Sequence, residues 1–242
     1  MEFSPASRLT LTMLCAGVLL QGCFTGPRPT LLSPTTTPTV EDQSAQAVID
    51  ILALGAPSTF TVNYRVLTKF GNLSSDATFA HHPDFGNSIS VGDVRFIYAP
   101  DGTSFTCSTT TGECKPGIDE SRVSDRQLVS TIFQSSAMER ILQDTRVAVG
   151  MGTSTTSSVN DQPTTCTVIP VVDSNAATQA KTYCAFDNLG ILASLETADL
   201  SISAISVTLD AQADQFAGCG HQSMAFSLAG ITEGASPQTV TS

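Results

Sequence analysis

The stretch Ser58–Phe70, STFTVNYRVLTKF, alternates. Phe60, Val62, Tyr64 and Val66 are apolar, and Thr61, Asn63 and Arg65 between them are polar. In an extended chain successive side chains point to opposite faces, so the run reads as a strand with one dry face. The segment before it has another period. In VEDQSAQAVIDILALGAP, Val40–Pro57, the residues Ala45, Val48, Ile49 and Leu52 recur at i, i+3, i+4 and i+7, the stripe of an amphipathic helix. Glu41 and Asp42 suit the positive end of its dipole. Gly55 can end it, and Pro57 stops its continuation.

Further strand-like runs follow: DATFAHH (76–82), NSISV (87–91), DVRFIYA (93–99) and TSFTC (103–107), with Asp101-Gly102 as a hairpin turn between the last two. Their close spacing predicts an antiparallel meander. SDRQLVSTIFQSSAMERILQDTRV (124–147) interrupts it. Ser124 with Gln127 matches a capping box. The pairs Leu128/Ile132, Val129/Phe133 and Ala137/Ile141 predict an amphipathic helix, broken near Ser135-Ser136. GMGTSTTSS (150–158) reads as a loop leading into a second strand set. That set is TTCTVIPVV (164–172), AKTYCAF (180–186), GILASLE (190–196) and AISVTLDAQ (204–212), with the turn Asp187-Asn188-Leu189-Gly190 before Ile191. The order helix, strands, helix, strands predicts an α+β domain over 41–216, an antiparallel sheet with helices on one side. The pattern weakens after Phe216. Residues 217–242 read as a poorly defined tail with one apolar strand or helix around Met224–Leu228.

The first residues divide differently. MEFSPASR carries one basic side chain, Arg8, and the apolar run LTLTMLCAGVLL (9–20) follows. That run suits a signal-peptide core and is short of the ~20 residues that cross a bilayer. It ends at Leu20-Gln21-Gly22-Cys23, which resembles the bacterial lipobox. The resemblance implies that 1–22 is a lipoprotein signal peptide and that Cys23 receives acyl chains such as palmitate. Two or more chains anchor stably where one does not. The alternative is a cysteine of a buried first helix. FTGPRPTLLSPTTTPT (24–39) holds four prolines and six threonines, so 23–40 reads as a Thr/Pro-rich tether unable to bury a core.

About 200 residues remain beyond the tether, enough for one domain. The formal charge is −11 with only 14% charged residues, which argues against nucleic acid as a partner. Cys107, Cys114, Cys166, Cys184 and Cys219 remain after Cys15 and Cys23. Cys107 and Cys114 flank the turn-like STTTGE, and Cys166 and Cys184 are centred on Asn175 within DSNAA. Cysteines equidistant from a hairpin tip face each other at disulfide spacing. This predicts Cys107–Cys114 and Cys166–Cys184, with Cys219 free; the alternative is five reduced thiols.

No motif carries chemistry. His81 and His82 adjoin on a strand and point to opposite faces. Cys219-Gly220-His221 lacks the further ligands of a zinc site or an orienting cleft, and Ser223 lacks the G-x-S-x-G spacing. Asp119, Glu120, Asp125, Glu139 and Asp144 read as a solvated acidic face. Asn72-Leu73-Ser74 is a sequon only in a eukaryotic host. Neither a cofactor nor a metal is implied.

The lipobox, the tether, the first helix, the long antiparallel set, the mid-chain helix and the hairpin YCAFDNLGIL (183–192) together resemble exported lipoproteins of the LolA/LppX/LprG type. The resemblance covers roughly 41–215. It implies a curved antiparallel sheet, half-barrel-like, with helices across one face and an apolar cavity for acyl chains. Phe96, Tyr98, Val168, Ile191 and Val207 are then the ligand-cavity candidates, though an ordinary core uses the same residues. The expectation is a non-enzymatic lipoprotein, lipid-anchored on the extracytoplasmic face of a bacterial cell membrane, that binds a lipid or other apolar ligand. The alternatives are a cell-surface structural or interaction lipoprotein without a cavity, whose partner is an envelope protein, and a hydrolase at Cys219 and His221.

Overall fold

The computed structural model describes residues 37–126, 128–172 and 177–217. The signal segment, the Cys23 lipobox, Gln127, the Asn175 turn, Cys219, His221 and Met224–Leu228 lie outside the described residues. Helix α1, Gln43–Leu54, is capped by Asp42, whose side chain accepts from the Ser44 and Ala45 N–H groups. Gly55 ends it. Its buried stripe is Ala45, Val48, Ile49 and Leu52.

Six strands follow: β1 Phe60–Thr68, β2 Leu73–His82, β3 Gly86–Val91, β4 Val94–Tyr98, β5 Ser104–Ser108 and β6 Cys114–Pro116. After a 3-10 helix, Glu120–Arg126, comes α2, Ser135–Val147. The second set is β7 Thr153–Val159, β8 Gln162–Val172, β9 Thr178–Phe186, β10 Leu192–Glu196 and β11 Leu200–Thr208. All eleven form one antiparallel sheet ordered β6-β5-β4-β3-β2-β1-β11-β10-β9-β8-β7. The fold is thus α+β, a curved antiparallel half-barrel-like sheet with helices across one face. It consists of two meanders joined at the β1–β11 pair.

The inner face is built in rows. Val207, Val62, Phe79, Ile89 and Phe96 lie directly across β11, β1, β2, β3 and β4. Ala204, Tyr64, Ala77, Val91 and Val94 form the next such row. The two α-helices cover the β7–β9 half of this face. The β1–β4 half is covered instead by residues 128–134, which are not helical. There Phe133 stacks on Tyr64 at 4.3 Å between ring centroids and meets Phe79 edge-on at 6.0 Å. Gly190 (φ +64) packs so closely on the end of α1 that a Cβ would stand 2.0 Å from the Gly55 carbonyl oxygen.

Three element expectations are corrected. The helix expected from Ser124 begins at Ser135. Upstream, Leu128, Ile132 and Phe133 are buried from an irregular path that is tied down by its backbone. Thr68 donates to the Arg126 carbonyl, and the Leu192 N–H donates to the Phe133 carbonyl. Val129, paired with Phe133 in the helical reading, is 39% exposed. GMGTSTTSS is no loop, since Thr153–Val159 is strand β7. It escapes an alternation reading because every residue but Val159 is exposed, so no face demands apolar residues. The last strand starts at Leu200, not Ala204.

Candidate functional site

A half-open cavity of about 160 Å³ lies where the irregular cover meets the inner face. Phe79, Ile89, Tyr98 and Phe133 give it apolar walls, and Asn87, Ser130 and Gln134 are among its polar lining. Strand alternation places the first three side chains, because Phe79, Ile89 and Tyr98 belong to the dry face of β2, β3 and β4. Ser130 is placed from the other side. Its N–H donates to both carboxylate oxygens of Glu120 at 2.9 Å, and its hydroxyl donates to Glu120 as well. A serine has one proton to give, so in the Tyr98–Ser130 hydrogen bond the tyrosine donates. Burial raises the Tyr98 pKa above its ordinary value, and the Glu120 charge adds to this against the bond to Ser130. Tyr98 is therefore a neutral donor. The Glu120–Ser130–Tyr98 chain orders the cover over the cavity, with both hydroxyl protons already committed. At the rim, Asn87 Oδ1 lies 2.7 Å from His81 Nδ1.

The cavity candidates separate. Tyr98 lines the cavity. Phe96 and Ile191 are fully buried in the core, and Val207 is partly buried against it. Val168 is a correction. Its neighbours Thr167 and Ile169 are the fully buried positions, and Thr167 meets Ser44 of α1 at 2.7 Å. Val168 thus points to the opposite face, the one that carries Cys166. The cavity residues Phe79, Asn87, Ile89, Ser130 and Phe133 were not singled out from the sequence. Alternation marks the strand residues as inward, but only the path of 128–134 leaves a space beside them.

Both expected disulfides are present, Cys107–Cys114 and Cys166–Cys184. The middle acids do not form one solvated face. Asp144 is 6% exposed and accepts from Lys181 and from the Tyr183 hydroxyl. The sequence held a signal for this, since Asp144 continues the apolar stripe of Ala137 and Ile141. His82 packs on Phe85 and Phe216. Among the described residues no group of three or more His, Cys, Asp or Glu is placed to hold a metal ion, and no helix is long and apolar enough to cross a membrane.

No protein-family model matches the chain, and no curated protein matches it. Among solved structures it is similar to a LolA superfamily protein from Nitrosomonas europaea. The identity is 10% over 72% of this chain and 96% of the other, with a TM-score of 0.32. The fold assignment rests on strand order and register.

Proposed function

We propose that this protein is a non-enzymatic lipoprotein, anchored through Cys23 on the extracytoplasmic face of a bacterial membrane, that binds an apolar ligand between its sheet and residues 128–134. One observation carries the binding reading. The aromatic half of the inner face is covered by an irregular segment rather than by a helix, and a cavity remains beneath it. At about 160 Å³ the cavity is smaller than most ligand pockets, which start near 300 Å³. It holds the end of a chain as it stands, and a longer ligand displaces the cover. The anchor reading is supported by the sequence Leu20-Gln21-Gly22-Cys23.

Mass spectrometry of the protein extracted from its native membrane tests both parts. The expected chain begins at an acylated Cys23, and organic extraction releases an apolar molecule in stoichiometric amount. Ile89→Trp and Thr131→Phe, which fill the cavity from opposite sides, abolish that release. A native chain that begins upstream of Cys23 overturns the anchor. A protein free of bound apolar molecules, or one that keeps them in both filled variants, overturns the binding reading. A second reading, a surface interaction module, draws on β7, an edge strand with neither charge nor proline. Such edges are open to pairing with another chain.

A further inference from the structure

A second concavity, of about 640 Å³, lies between the start of α1 and the end of α2 and shares no lining residue with the inner cavity. Its size falls within the range of about 300–1,000 Å³ that suits small-molecule ligands. Val40, Leu142, Val149 and Met151 give it an apolar floor. Val149 and Met151 are 58% and 66% exposed, and Val147 beside them is 63% exposed. The backbone holds this strip in place. Ala148 bridges to Val171, and the Val149 N–H donates to the Pro170 carbonyl.

Three charged residues line the groove: Glu41, Asp42 and Arg146. Asp42 is spent, because its two oxygens accept from Ser44, Ala45 and Gly152. The side chains of Glu41 and Arg146 make no hydrogen bond or ion pair among the described residues, with each other or with any neighbour. The groove therefore offers one free anion and one free cation above an apolar floor. An uncharged ligand leaves both unmatched, and an anionic or cationic one matches only one of them. A guanidinium takes phosphate oxygens in a bidentate fashion.

We propose that this groove binds a zwitterionic single-chain amphiphile, with its phosphate at Arg146, its ammonium at Glu41 and its tail over Val40, Leu142, Val149 and Met151. The site stands apart from the inner cavity and does not depend on it.

Calorimetric titration of the full chain tests this with two probes of equal tail length, decylphosphocholine and decyl maltoside, each below its micelle concentration. The phosphocholine is expected to bind at least about tenfold more tightly. Arg146→Gln and Glu41→Gln should each cut that preference below about threefold without changing maltoside affinity. Val149→Asp should weaken both probes, and Ile89→Trp should leave the phosphocholine preference in place, since any tail bound in the inner cavity counts equally for both probes. All three groove positions are exposed, so thermal melts should show their fold intact. Equal affinity for the two probes, or a preference that survives both charge variants, overturns the proposal. Loss of the phosphocholine preference in Ile89→Trp assigns the headgroup to the inner cavity and overturns this site alone. Self-association abolished by Val149→Asp, with no amphiphile bound, makes the strip a protein surface and also overturns it.

Discussion

Asp42 shows how one side chain serves several elements. Its Oδ1 accepts from the Ser44 and Ala45 N–H groups at 2.9 and 3.1 Å and from the Ser44 hydroxyl at 2.7 Å. Its Oδ2 accepts from the Gly152 N–H at the entry to β7. Ser44 gives its proton to Asp42, so Thr167 of β8 is the donor in the Ser44–Thr167 bond. A Cβ at 152 would stand 2.6 Å from Ser44 Oγ and 2.7 Å from Asp42 Oδ2, so a larger residue there displaces the side chains of this network. Burial works against the charge on Asp42. The bonds from Ser44, Gly152 and Ala45 outweigh it and hold the carboxyl below its ordinary value. A depressed pKa means that the folded chain binds the proton more weakly than the unfolded one. The stabilisation is therefore complete above the ordinary aspartate pKa of about 3.9 and is lost as pH falls through it toward the folded value. Asp42→Ala should cost about 2 kcal/mol at pH 7, the upper end for a lost N-cap, because the Gly152 N–H loses its partner too. Denaturant melts from pH 7 to pH 3 should show the wild type approaching the variant below about pH 4. A gap that stays constant over that range would mean the carboxylate charge is not what stabilises the junction.

At the scale of elements, the two disulfides clip hairpins of different reach. Cys107 faces Cys114 across β5 and β6, seven residues apart, and Cys166 faces Cys184 across β8 and β9, eighteen apart. On chain entropy alone the longer loop gains about 3 kcal/mol and the shorter about 2 kcal/mol. Replacing Cys166 and Cys184 together by alanine should therefore lower the melting temperature more than replacing Cys107 and Cys114. The opposite order would show that loop length does not set what each clip contributes. These bridges were legible in the sequence because hairpin symmetry is local information. The alternation of Phe60, Val62, Tyr64 and Val66 and the stripe of α1 were legible for the same reason. Strand β7 was not, since its side chains face water and leave no period. The helix expected from Ser124 failed because Leu128, Ile132 and Phe133 satisfy a helical spacing and a tertiary need at once. The tertiary need prevails where Ser130 is held by Glu120 and Arg126 by Thr68. The inner cavity was invisible for that reason, being a gap left by this override. The groove was half visible: Arg146 and Glu41 can be read as charges, but their lack of partners cannot.

At the scale of the molecule, the order of the strands separates local from distant pairing. Within each meander, neighbours in the sheet are neighbours in the chain. The exception is β1 with β11, the first strand against the last, where Val66 faces Ile202. This pair sits at the centre of the sheet and closes the longest loop in it. Loop closure has to be met before the contact is rewarded, so such pairings form late and slow the folding of β-rich domains. By contrast, Val91 and Val94 face each other across a two-residue turn and can pair early. Both tests use fully buried side chains, Ile202 and Val94. Ile202→Ala should cost about 2–5 kcal/mol, and Val94→Ala about 1.5 kcal/mol, both large enough for kinetic analysis. Ile202→Ala should leave the folding rate nearly unchanged and accelerate unfolding, whereas Val94→Ala should slow folding. Chevron plots with the disulfides intact separate the two arms. If Ile202→Ala slows folding more than Val94→Ala does, the central pair belongs to the nucleus, and the two meanders cannot be units that form first and dock afterwards.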